Sequence, residues 1–108
     1  MRMARPSIAP ETEVIQREET VPLYRVVLLD DNDHTYDYVV EMLQKIFIFS
    51  HEQAYRHAEE VDRTGRTVLI TCELREAEFG RDQIHGYGPD WRLSRSKGSM
   101  SAVVEPAG

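Results

Sequence analysis

The sequence predicts an α+β fold, a small antiparallel three-stranded sheet with three helices packed on one face, in the order β-α-α-β-α-β. Three observations carry this. LYRVVLLD (23–30) and RTVLITC (66–72) are runs of β-branched and aliphatic residues, and SMSAVVE (99–105) alternates as a strand does. Three intervening stretches space their apolar residues at helical intervals. Three short strands cannot offer two covered faces, so an antiparallel sheet with its helices on one side is the economical packing.

Residues 1–22, MRMARPSIAPETEVIQREETVP, mix Pro, charge and isolated apolar residues without a period and read as a flexible N-terminal extension; residues 23–108 form the core. After the first strand, TYDYVVEMLQKIF places Val39, Val40, Leu43, Ile46 and Phe47 along one helical side, with Thr35 or Asp33 as its cap. Ser50 and Gln53 form a capping box for a second helix over 51–64, and Gly65 is placed to end it. Its apolar stripe, Ala54, Ala58 and Val61, is narrow and made of small side chains. ELREAEFGRDQIH reads as the third helix, with Leu74, Ala77, Arg81 and Ile84 along one side. Gly80 weakens that helix by roughly 1 kcal/mol relative to Ala. GYGPDWRLSRSKG (86–98) carries three Gly and a Pro and reads as a loop.

Bulk composition excludes several classes of function. A chain of 108 residues is one domain with a small core. Its 19 acidic residues against 13 basic ones give a net charge of −6, which argues against a nucleic-acid binder and for cationic partners. Cys72 is the single cysteine, so no internal disulfide forms and a cytoplasmic setting is expected. The apolar runs are too short to span a bilayer, and the N-terminus lacks the apolar core of an export signal.

The most informative stretch is LLDDNDHTYDYVVEMLQ (28–44), where Asp30, Asp31, Asn32 and Asp33 sit side by side and demand a cation. Calcium fits poorly: an EF-hand loop starting at Asp30 would put His34 and Thr35 where an oxygen ligand and a glycine belong, after a strand rather than a helix. A phosphoacceptor receiver needs five parallel strands and a second buried Asp, which the chain does not offer. His34, His51, His57, His85 and Cys72 lack ligand spacing, so no metal and no cofactor are expected. A protonated amino group remains, whose three N–H donors suit carboxylate and amide oxygens.

From Tyr24 to Val104 the chain resembles the ClpS adaptors, which recognise N-degrons for an AAA+ protease. YRVVLLDDNDHT resembles the family's first strand and acidic loop, YVVEMLQKIF its first helix, Ala54 through the AEEVDRTGR stretch its second helix and following turn, and MSAVVE its closing strand. The resemblance implies an adaptor and not an enzyme. Its partners would be proteins beginning with Phe, Tyr, Trp or Leu and an AAA+ Clp unfoldase, with no nucleic acid and no membrane. If one residue is missing after the loop Thr, the α-amino group falls to Asp31, Asn32, Asp33 and Thr35; the ungapped alternative takes Asp30, Asp31 and Asn32. On the second helix the pattern implies Ala58, Val61 and Asp62. Asp62 stands where the family has a His, and Ala58 where it commonly has a bulky Met. Tyr36 replaces another Met on the opposite wall, and Val39 and Met100 complete the apolar lining. A generic interaction module with an acidic docking loop is the alternative, and a metal-dependent enzyme fragment a third.

Overall fold

A computed structural model describes residues 21–108, so the expected N-terminal extension lies almost wholly outside the described residues. The elements follow the expected order: β1 (Tyr24–Leu29), α1 (Tyr36–Ile46), α2 (His51–Thr64), β2 (Arg66–Cys72), α3 (Leu74–His85) and β3 (Ser101–Pro106). The sheet is antiparallel throughout, with β1 in the centre and order β2-β1-β3. β3 begins at Ser101, two residues later than the sequence suggests. Ser99 instead accepts the Gly88 N–H at 2.7 Å, and Met100 is buried.

Val26 and Leu28 point from β1 into the core, where they meet Ala102 and, on β2, Leu69 and the half-buried Ile70. A bulge lies opposite Val26 and Val27, because Val26 pairs with Ile70 and Val27 with Val68. Leu69 is thus an extra residue in β2 and adds a second apolar side chain to the core. On the sheet's other face Val27 is 0% exposed between its cross-strand neighbours Val68 and Val103. Glu105 there pairs with Arg66 at 2.6 Å and Arg25 at 3.5 Å.

All three helices lie on the core face. α2 packs on β2, α3 on β1 and β3, and α1 against α2 and α3. α1 buries Tyr38 and Met42 as well as Val39, Val40 and Leu43, a wider stripe than its spacing implied. Thr35 caps α1, accepting the Tyr38 N–H at 3.1 Å. Ser50 and Gln53 complete both bonds of the capping box on α2. Gly65 ends α2 with φ of 92°, a left-handed conformation that favours glycine.

α3 departs from expectation in its buried face, which is Ala77, Gly80 and Ile84. Leu74 is 41% exposed, and Arg81 is only half-buried. Gly80 explains the choice: a Cβ there would stand 3.3 Å from Phe47 Cε1 and 3.8 Å from Val26 Cγ2. The missing side chain lets α3 approach the sheet closely at that point. Cys72 ends β2 and is half-buried. Burial, then Glu76 and Glu73, push its thiol pKa up.

Candidate functional site

β1 delivers the acidic segment to the end of the sheet where α2 turns into β2. The Asp30 N–H donates to the Gly65 carbonyl at 3.0 Å, which anchors the loop at its start. Asp31 folds the next residues around itself, its Oδ1 accepting the Asp33 N–H at 2.9 Å and the His34 ring at 2.7 Å. The loop closes on α1, where Thr35 donates both its N–H and its hydroxyl to Asp90 Oδ2, each at 2.8 Å.

Asp90 belongs to the Gly86–Gly98 loop and is 1% exposed. Its second oxygen accepts the Arg92 N–H at 3.0 Å and the Arg92 guanidinium at 3.1 Å. Burial alone would raise this carboxyl, but the donors from Thr35 and Arg92 outweigh it and hold the pKa at about 2. The same loop reaches the acidic segment again through Arg95, which donates to the Asn32 carbonyl and pairs with Asp33 at 3.3 Å. Gly98 receives His34, and Tyr38 of α1 donates to the Gly88 carbonyl at 2.6 Å.

Between the acidic segment, α1 and α2 lies a pocket of about 90 Å³. Its apolar wall comes from Val39, Ala58, Val61 and Met100, all buried, with the Tyr36 ring at the mouth. Its polar rim comes from Asp30, Asp31, His34, Thr35 and Asp62. Helical spacing produces this: Ala58, Val61 and Asp62 share one side of α2, as Tyr36 and Val39 share one side of α1. Asp62 Oδ2 accepts the Tyr36 hydroxyl at 2.8 Å.

Of the ten residues singled out from the sequence, eight line this pocket: Asp31, Thr35, Tyr36, Val39, Ala58, Val61, Asp62 and Met100. Asn32 and Asp33 do not; Arg95 instead donates to the Asn32 carbonyl and pairs with the Asp33 carboxylate. Asp30 and His34 take places on the rim instead. Asp30 matches the ungapped reading of the loop. His34 was set aside as one of four scattered histidines, and only its neighbour Asp31 hinted at a role.

Asp30 is exposed at the rim. The part of it lost to the pocket wall pushes its carboxyl up, the Asp31 amide pulls it back, and the charges of Asp62 and Asp31 raise it further. The balance is a raised pKa, and no basic group is among its causes. Three carboxylates beside an apolar hollow suit a ligand with a cationic head and an apolar side chain. No group of three or more His, Cys, Asp or Glu among the described residues could hold a metal ion. None of the described helices is long and apolar enough to cross a membrane.

Residues 19–90 match the family model of the ATP-dependent Clp protease adaptor protein ClpS. The ClpS adapter of Synechococcus elongatus is 34% identical over 101 residues, covering 87% of this chain and 95% of that protein. The adapter of Nautilia profundicola is 42% identical over 84 residues, covering 77% and 80%. Agrobacterium tumefaciens ClpS2, solved bound to L-phenylalaninamide, superimposes with a TM-score of 0.68 at 25% identity, over 79% of this chain and 96% of that one.

Proposed function

Because the chain belongs to the ClpS family of ATP-dependent Clp protease adaptor proteins, we propose that its pocket receives the first residue of another polypeptide. The observation that carries this is the meeting of Asp30, Asp31 and Asp62 at the rim of an apolar hollow, with neither Lys nor Arg lining it. The ligand seen with A. tumefaciens ClpS2, L-phenylalaninamide, has the matching chemistry: a free α-amine beside an aromatic side chain.

In this reading Asp30 and Asp31 accept the α-ammonium, with Asp62 opposite and Thr35 beside them. Arg95 keeps Asn32 and Asp33 in a supporting role, shaping the loop from behind. Tyr36, Val39, Ala58, Val61 and Met100 receive the side chain, which is Phe, Tyr, Trp or Leu. Burying a Phe-sized group contributes roughly 2–3 kcal/mol, and each charge-assisted hydrogen bond roughly 1.5–3 kcal/mol. After the cost of association an affinity on the order of micromolar follows. That grip is weak enough for cargo to be released to an AAA+ Clp unfoldase. The proposed role is binding and delivery in the cytoplasm, without catalysis, and residues 1–22 are the arm the unfoldase engages.

The test is a titration of the whole chain with a Phe-initiated peptide and its N-acetylated copy. Acetylation removes the charge and two donors, so binding should fall below detection. Equal binding of both peptides would point instead to a generic docking module and sink the amine reading.

A further inference from the structure

We propose that His34 is a positioning residue which, in its doubly protonated form, locks the amine-binding carboxylate of Asp31 to the loop carrying Met100. The inference rests on the reading of the pocket as an α-amine site. The His34 side chain is 4% exposed. Its Nδ1 lies 2.7 Å from Asp31 Oδ1 and its Nε2 lies 2.7 Å from the Gly98 carbonyl. Both partners are acceptors only. A neutral imidazole has one N–H and would turn a lone pair toward one of them. The imidazolium donates to both, and its bond to the carboxylate is charge-assisted.

This places one ring between the two halves of the site. Asp31 Oδ1 is already held by the Asp33 N–H, so the second donor from His34 fixes the carboxylate and leaves Oδ2 for a ligand. Gly98 lies two residues before Met100, whose side chain lines the apolar wall. The ring also lies on Tyr38, centroids 4.5 Å apart, and Tyr38 is itself tied to Gly88. The charged and titratable groups around the ring are therefore Asp31 in its own loop, Asp30 beside it on the pocket rim and Tyr38 of α1. From the facing loop come Arg95, engaged with Asn32 and Asp33, and Asp90, engaged with Thr35 and Arg92. Asp31 is the one carboxylate among them that bonds the ring. Asp30 titrates in the opposite sense, since its ionisation strengthens amine binding as pH rises. A comparison of His34 variants isolates the ring's share.

The experiment titrates a Phe-initiated peptide into the full chain and into His34→Asn between pH 5.5 and 7.0, below the range in which an α-amine loses its proton. At pH 5.5 the variant should bind about tenfold more weakly, the loss expected of one charge-assisted hydrogen bond. That gap should narrow as pH rises, because the bond that distinguishes the parent needs both ring nitrogens protonated and the variant has no such ring. A gap that stays constant across the range, or no gap, overturns the proposal. Should His34→Asn fail to fold, nitrogen-15 spectra of the parent–peptide complex at pH 6 decide the matter. Both His34 ring nitrogens should carry hydrogen, and a bare ring nitrogen overturns it. Binding of the N-acetylated peptide to the parent as tightly as the free one would instead defeat the amine reading itself.

Discussion

The hydroxyl of Tyr36 donates to Oδ2 of Asp62 at 2.8 Å, joining the first turn of α1 to the last turn of α2 across the mouth of the pocket. The Tyr36 ring lies 5.6 Å from that of Tyr55, which steadies it from the α2 side. The bond to Asp62, then partial burial and nearby negative charge, push the Tyr36 hydroxyl up to about 12. It therefore stays protonated at every pH at which an α-amine is a cation, and it competes with that amine for Asp62.

Tyr36→Phe removes this competitor and keeps the ring. Asp62 then faces the ligand with both oxygens, beside an Asp30 that already feels its charge. Affinity for a free-amine Phe peptide should rise about threefold, at the low end of the net worth of one hydrogen bond. The melting temperature should change little, because the lost bond is exposed. Calorimetric titration checks this. Weaker binding by the variant would mean that the hydroxyl itself contacts the ligand.

Ala58→Met tests the apolar wall. Ala58 is 1% exposed and lines the pocket from α2. A methionine there must fill the cavity or push its neighbours, and overpacking costs about 1–3 kcal/mol. Filling a cavity of about 90 Å³ should weaken Phe- and Trp-initiated peptides at least tenfold and Leu-initiated ones less. A binding series across N-terminal residues reads this out. Equal losses for every residue would place the effect in the fold rather than in the pocket.

The elements and caps were legible because their signals are local. Thr35, the Ser50–Gln53 pair and Gly65 each act within a few residues of themselves, and each does so in the structure. The apolar half of the site was implied by the resemblance to the family, and helical spacing agrees with it by aligning Ala58 with Val61 and Tyr36 with Val39. The polar half depends on contacts no local pattern records. Asp90 bonds Thr35 from 55 residues away, inside a stretch that reads only as a Gly-rich loop. Arg95 contacts Asn32 from 63 residues away and pairs with Asp33, and the bond from the Asp30 N–H to the Gly65 carbonyl brings Asp30 to the end of α2. Tyr38 and Met42 flank the expected stripe of α1. They are buried because α1 packs against both α2 and α3.

Gly80 gives a prediction with two arms. Alanine at an exposed helix interior would gain about 1 kcal/mol over glycine. Here its Cβ would lie 3.3 Å from Phe47 Cε1, so the Phe47 ring has to give by a few tenths of an ångström. That ring is half-buried and can shift, so Gly80→Ala should stay within about 0.5 kcal/mol of the parent. Gly80→Val adds two further methyls beyond that Cβ, against Phe47 and Val26, and should destabilise by about 1–3 kcal/mol. Urea unfolding of the three proteins checks both. A valine variant as stable as the parent would show that α3 does not need its close approach.

Asp90 should govern the acid limit of stability. Its carboxyl is held at about 2 in the folded chain against an ordinary value of 3.8, so as pH falls the unfolded chain takes up its proton first. The stabilisation is therefore complete above about pH 4 and is lost as pH falls through about 2. Asp90→Asn abolishes this dependence, and it also turns an amide NH₂ toward donors from either Thr35 or Arg92. The variant should be less stable at neutral pH by about 1–3 kcal/mol, the penalty for a buried polar group left without its partner. Its stability should also fall less steeply than the parent's between pH 4 and 2. Thermal unfolding of both proteins across pH 2–6 measures the two effects together, and parallel acid limbs would mean that some other carboxylate sets the limit. Because Asp90 also holds Thr35 at the start of α1, the variant should bind a Phe-initiated peptide more weakly at neutral pH, even at temperatures well below its melting point.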